Sequence, residues 1–204
     1  MMTRKRVYGL TARLYDILDL PFELGRYRPL RAHLFSGLSG HILDAGVGTG
    51  RNMEFYPQEC SVTGIDLSPS MLDRAAKRRA RLGLRVELLE MDVCRTTFPD
   101  NHFDAVVATF LFCVLDENQQ LPALKELSRL CKPDGEIRII EYAYSRNPVR
   151  RLVMRLWAPW VRAIYGAAFD RETERYVPGA GLRLVERRFL YQDIIKLLIL
   201  KTQA

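Results

Sequence analysis

Five short runs rich in Val, Ile, Leu and Phe limit what this chain can fold into: HILDAGV (41–47), SVTGID (61–66), RVELLEMD (85–92), FDAVVATF (103–110) and GEIRIIEY (135–142). Helical patterns, SPSMLDRAAKRRARLG (68–83) and NQQLPALKELSRLC (118–131), lie between most of them. A strand with one wet face alternates apolar and polar residues. A run that is apolar throughout is buried on both faces, and alternation with helices then means a parallel sheet between helical layers. FPDNHFD and KPDGE place turn residues ahead of the fourth and fifth runs. The C-terminus breaks the rhythm. LRLVERRFLY (182–191) and IIKLLILK (194–201) are too close together for a helical crossover, so they must pair antiparallel as a hairpin. With 204 residues, 48% of them apolar, the chain can bury one sizeable core. We read residues 1–204 as one domain: a helical lid at 1–38, a ligand-binding half at 39–143, and a helix with the hairpin at 144–204.

After the first run comes ILDAGVGTGR (42–51), with glycines at 46, 48 and 50. A dinucleotide fingerprint needs a small residue at position 51, where this chain has Arg51, and no G-K-[ST] follows to make a phosphate loop. Glycines here still let a ligand approach the backbone closely, and a short helix beginning near Arg51 offers free N–H groups. Acids at neighbouring strand ends give the loop its meaning. Asp66 ends the second run, where a carboxylate faces the ligand crevice and can accept both hydroxyls of a ribose. Asp92 ends the third and can accept from an adenine amino group while the Val93 N–H donates to the ring. Asp44 precedes the first glycine and can hold an ammonium group directly or through water. Each acid alone would be explained as a turn or capping residue, Asp66 before LSPS above all. Together they describe a ligand with an adenosine end and an amino-acid end, which is the build of S-adenosylmethionine.

The segments ILDAGVGTGRN, VTGIDLSPSML, MDVCRTTFPDNHFDAVVATF and ELSRLCKPDGEIRIIEY resemble successive motifs of class I S-adenosylmethionine-dependent methyltransferases of the small-molecule type, from about Tyr8 to the C-terminus. The resemblance implies an α/β Rossmann-like fold, a seven-stranded sheet of order 3-2-1-4-5-7-6 with strand 7 antiparallel and helices on both faces. It implies S-adenosylmethionine as methyl donor, with S-adenosylhomocysteine as product, contacted by Asp44, Gly46, Gly48, Asn52, Asp66, Leu67, Asp92 and Val93. Enzymes that methylate amino groups of nucleic acids and proteins carry [DN]-P-P-[YF] after the fourth strand. Here TFLFC (109–113) stands there, which argues for a greasy substrate and against a nucleic-acid partner.

Methyl transfer from a sulfonium is an in-line displacement, so alignment in a dry pocket can supply most of the acceleration. No catalytic triad is needed, and His33, His41 and His102 are isolated. Cys60, Cys94, Cys113 and Cys131 lack C-x-x-C spacing, so neither a metal site nor a disulfide framework is expected; Cys113 is placed toward the pocket as a buried thiol. No apolar run reaches the ~18 residues of a membrane span. The basic start, MMTRKRVYGLTARLYD, lacks the apolar stretch of a signal peptide, so a cytoplasmic location is expected, and a monomer.

Substrate clues lie outside the sheet motifs. Lys and Arg exceed Asp and Glu for a net charge of +7, which favours anionic partners or is simply a solvated surface. VYGLTARLYDILDLPFELGRYRPLR (7–31) corresponds to the lid of the resembling enzymes and carries Tyr15 near the transferred methyl, with Arg26 or Arg28 as a bidentate hydrogen-bond donor to a lipid phosphate. NPVRRLVMRLWAPWVRAIYG (147–166) is amphipathic, with Trp157 and Trp160 on one side, Arg150, Arg151, Arg155 and Arg162 on the other, and a kink at Pro159. It reads either as a helix lying on the inner face of an anionic membrane or as a core-facing crossover with solvated arginines. Glu141, Tyr142 and Tyr144 are delivered by the fifth strand toward the crevice, Glu141 to hold and deprotonate an amine or to pair with an arginine. Within the family the chain is most similar to small bacterial phospholipid N-methyltransferases, so phosphatidylethanolamine or a related amphiphile is the expected substrate. C-, O- or S-methylation of a small hydrophobic metabolite, a quinone or a thiol, stays open. So does a module that binds the cofactor without turnover.

Overall fold

The computed structural model describes residues 27–203. Tyr15, Arg26 and most of the expected lid lie outside them. β1 (His41–Ala45), β2 (Ser61–Asp66), β3 (Val86–Glu90), β4 (Phe103–Thr109), β5 (Cys131–Tyr142), β6 (Leu182–Tyr191) and β7 (Ile195–Thr202) form one sheet in the order β3-β2-β1-β4-β5-β7-β6. The pairings from β3 across to β5 are parallel, and β7 runs antiparallel to both β5 and β6. The hairpin is therefore present as the sequence requires, with β7 inserted beside β5.

Period-two alternation divides the sheet's side chains between two cores. Ile42, Ala105, Val107, Ile140 and Leu197 pack with Leu30, Leu34 and Phe35 of α1 (Arg28–Phe35) and with Ala75 of α2 (Pro69–Leu82). Leu43, Val106, Ala108, Ile137 and Ile139 pack on the other face with Ala123, Leu124, Leu127 and Leu130 of α3 (Glu117–Leu130). These α3 positions recur at three- and four-residue spacing, so they share one helix face. Asp116 caps α3, and its backbone N–H donates to the Gln119 side chain at 3.1 Å. Gly83 closes α2 at φ 65°, a conformation that side chains resist.

The strand boundaries differ from the apolar runs in two places. β3 stops at Glu90, which leaves Asp92 in a turn bridged to Arg95. β5 begins at Cys131, but pairing with β4 jumps from Cys131 opposite Phe103 to Glu136 opposite Ala105, so KPDG bulges out between them. Gly135 is required there, because a Cβ would stand 2.6 Å from the Asp104 carbonyl oxygen.

α4 (Pro148–Tyr165) follows β5. The Asn147 side chain accepts from the Val149 and Arg150 N–H groups at 3.0 and 3.1 Å, and Pro148 fills the first turn. The helix continues past Pro159, the expected kink, to Gly166. The core-facing reading of this helix does not hold. Met154 is its only buried side chain among the described residues, whereas Val149, Leu152, Leu156 and Trp157 are 55–72% exposed. No helix among the described residues is long and apolar enough to cross a membrane.

Candidate active site

The carboxyl ends of β1, β2 and β4 open into a cavity of about 780 Å³, a size that suits a small ligand. The β1 loop forms one rim. Gly48 has φ 56°, and a Cβ added to it would find nothing nearer than the Gly46 carbonyl oxygen at 3.9 Å. The loop backbone therefore borders open space, and any side chain would enter it. The helix after the loop does begin at Arg51, but as a single 3-10 segment, Arg51–Phe55.

Asp66 lies beside this rim. Its carboxylate accepts the Gly48 N–H at 2.9 Å and the Ser68 N–H at 2.8 Å, so it braces the turn and lines the cavity together. It does not cap α2, whose N-cap is Ser68, but it does reach the cavity lining. Burial pushes its pKa up against these hydrogen bonds. Leu67, Asp92 and Val93 line the same end, with the Asp92 carboxylate accepting the Cys94 N–H at 2.9 Å.

Asp44 is not where direct contact with a ligand requires. It is fully buried and does not line the cavity. Asn52 Nδ2 donates to both of its oxygens at 3.0 Å, and the Tyr56 hydroxyl donates to Oδ2 at 2.5 Å. The cavity-lining member is Asn52, whose Oδ1 accepts from Arg31 at 2.7 Å. Burial raises the Asp44 pKa to about 6 although Tyr56, Asn52 and Arg31 favour its charge. Arg31 and Tyr56 had no distinguishing signal in the sequence; Arg31 is one more arginine in a basic segment, yet it is buried at the cavity wall.

At the other end stand Tyr27, Thr109, Phe110, Cys113, Tyr142, Phe169 and the inner side of α4. Tyr142 and Glu141 are consecutive on β5 and so point to opposite faces. Tyr142 lines the cavity; Glu141 does not, and the expectation that both reach the crevice is corrected. Glu141 is wholly buried behind Cys113, accepting the Tyr142 N–H at 2.7 Å. Its cross-strand neighbour is Lys196, not an arginine, and Lys196 is committed to both oxygens of Glu174 at 2.6 Å. Burial accordingly raises the Glu141 pKa to about 8. Arg28 points away from the cavity and pairs with Glu54 at 3.1 Å. Tyr144 also misses the lining, with its ring 6.2 Å from Phe169 and under the Arg151 guanidinium. None of the three histidines lines the cavity.

Residues 42–135 match the family described as methyltransferase domain. The chain is 38% identical over 141 residues to a phosphatidylethanolamine N-methyltransferase of Cereibacter sphaeroides, covering 66% of this chain and 68% of that protein. It is 28% identical to a ubiquinone/menaquinone biosynthesis C-methyltransferase of Citrifermentans bemidjiense, over 90% of this chain and 82% of that one. A solved S-adenosylmethionine-dependent methyltransferase from Methanosarcina mazei superposes with a TM-score of 0.66 at 20% identity, covering 84% of this chain and 97% of its own.

Proposed function

Because this chain belongs to the class I S-adenosylmethionine-dependent methyltransferases, we propose that it N-methylates phosphatidylethanolamine, or an amphiphile of like build, at an anionic membrane surface. One observation carries this reading. The apolar side of α4 is exposed at Val149, Leu152 and Leu156 and becomes cavity wall at Met154 and Val161, with Val153, Trp157 and Trp160 serving both. A substrate whose tail stays in a bilayer while its head enters an enclosed site needs such continuity. Arg151, Arg155 and Arg162 on the same helix suit anionic head groups, while Arg150 is held by Asp193. The similarity to a phosphatidylethanolamine N-methyltransferase supports the same substrate. The protein would then work in the cytoplasm, attached to the inner face of the membrane.

The residues at the β-strand ends suit the methyl donor. Asp66 accepts the ribose hydroxyls, Asp92 and the Val93 N–H read the adenine edge, and Leu67 covers it. Gly46 and Gly48 let the loop backbone approach, and Asn52, oriented by Asp44 and Arg31, faces the amino-acid end. Bound S-adenosylmethionine supplies a methyl group on a positively charged sulfur, which keeps the C–S bonding pair when the methyl departs. The remaining work is to align the amine, exclude water and let it lose a proton. Tyr15 orients the nitrogen and Arg26 takes the lipid phosphate. Glu141, behind the wall, holds the Tyr142 backbone and acts as a positioning residue.

C-methylation of a hydrophobic quinone is the second reading, favoured by the stacked Phe110 and Tyr142 rings and by the similarity to quinone C-methyltransferases. Incubation with labelled S-adenosylmethionine and vesicles containing phosphatidylethanolamine, with quinone and thiol panels alongside, decides by mass spectrometry. Methylated phosphatidylethanolamine is the expected product; methyl on a quinone carbon alone would overturn the lipid reading.

A further inference from the structure

The wall where the acceptor must lie holds no carboxylate: among the described cavity residues the acids are Asp66 and Asp92, at the opposite end. In their place stand four aromatic rings in mutual contact. Phe110 and Tyr142 stack with centroids 4.6 Å apart and an interplanar angle of 24°. Tyr27 leans on Phe110 at 5.2 Å, and Phe169 meets Tyr142 edge-on at 5.2 Å. The rings are fixed in place. The Tyr142 hydroxyl bonds that of Tyr27 at 3.0 Å, and the Phe110 N–H donates to the Ile140 carbonyl at 2.9 Å. Phe110 has φ 53°, a conformation costly for a bulky side chain, and such strain gathers at functional positions. The Phe110 ring already accepts one cation, the Arg31 guanidinium 6.0 Å from its centroid.

We propose that Phe110, Tyr142, Tyr27 and Phe169 form a cation–π box that selects the acceptor nitrogen by its methyl groups, binding a methylated ammonium better than a primary one. This rests on the N-methylation reading above and adds the order of preference within it. A primary ammonium is compact and strongly hydrated, and no carboxylate among the described residues of the wall replaces its water. Each methyl group removes hydration and adds surface that packs on π faces, so the box favours the more methylated cation. A nitrogen that gains a methyl becomes cationic and passes a proton to water before it can gain another. Partly methylated lipid is thus held better than the starting lipid, and one site suits successive additions.

The test uses the whole protein saturated with S-adenosylhomocysteine. Calorimetric titrations with ethanolamine, N-methylethanolamine, choline and 3,3-dimethylbutan-1-ol, the uncharged carbon counterpart of choline, are compared. Affinity should rise from ethanolamine to choline, and choline should exceed its carbon counterpart by about tenfold. Tyr142→Leu and Phe110→Leu should abolish that preference, and Tyr142→Phe should retain it. Melting curves identify a variant that has not folded, in which case the other variant decides. Equal binding of choline and its counterpart, or an undiminished preference in a folded leucine variant, overturns the box. Failure of the wild-type enzyme to methylate any lipid amine overturns the functional reading instead, which the titrations do not measure.

Discussion

Asn52 donates to both carboxylate oxygens of Asp44 at 3.0 Å, so a cavity-lining amide is oriented by an acid that does not itself line the cavity. Asp44→Ala should therefore do two things at once. It leaves the Tyr56 hydroxyl and the Asn52 amide short of a buried acceptor, at a cost of about 1–3 kcal/mol each, and it lets Asn52 turn. Melting temperature and calorimetric affinity for S-adenosylmethionine should both fall. Normal affinity in a destabilised variant would show that Asn52 does not depend on Asp44 for its role.

The Asp66 carboxylate should matter to binding as well as to folding, since it also accepts the Gly48 and Ser68 N–H groups. Asp66→Ala is expected to weaken S-adenosylmethionine by ~1–3 kcal/mol, because ribose hydroxyls lose a charged acceptor. Gly48→Val should bind still less, since its side chain enters the space that the loop leaves open. Titration of either variant with unchanged affinity would remove that residue from the site.

The exposed face of α4 should read the membrane. Tryptophan fluorescence should shift blue when vesicles containing anionic lipid are added, and the shift should weaken as salt rises. Leu156→Glu, at a position 72% exposed, should cut vesicle binding without lowering the melting temperature. Equal binding to neutral and anionic vesicles would refute the electrostatic part.

Glu141 should make stability fall as pH rises. Its folded-state pKa, raised by burial from 4.5 to about 8, means the native state holds a proton that the unfolded chain has released. Stability is complete below the unfolded value and declines as pH climbs through about 8. Glu141→Gln mimics the neutral acid and should flatten this decline in denaturant titrations between pH 5 and 9, a range estimated from that linkage. A variant that tracks the wild type across the range would show that Glu141 is charged throughout.

The strands were legible because a parallel sheet leaves an unmistakable trace: Ile42, Leu43 and Ala45 are all buried, so β1 has no polar face to interrupt the run. Asp66, Asp92 and Val93 line the cavity, as residues at or just past strand ends on the crevice side do, although β3 itself stops at Glu90. What failed was depth. Glu141 lies one pleat away from cavity-lining Tyr142, and a one-residue change in facing cannot be read from an apolar run with no alternation; Asp44 lies two residues short of Gly46 at the rim, its carboxylate taken by Asn52 and Tyr56. Arg31 was hidden by its company. Phe110 was legible as part of the apolar TFLFC, but Phe169 and the contacts that join these rings to Tyr27 and Tyr142 were not, because they bring together distant parts of the chain.

β6 closes the sheet, and its bare edge has a consequence for the protein in a crowded solution. An unpaired strand invites another chain to add to it and keep adding. Here the register with β7 slips twice, between Leu184 and Glu186 and again between Phe189 and Tyr191. Arg183, Glu186, Arg187 and Arg188 are spread along the same ten residues. An incoming strand would meet backbone out of step and charges it must desolvate, so the edge that ends the fold is also a poor template for growth into fibres.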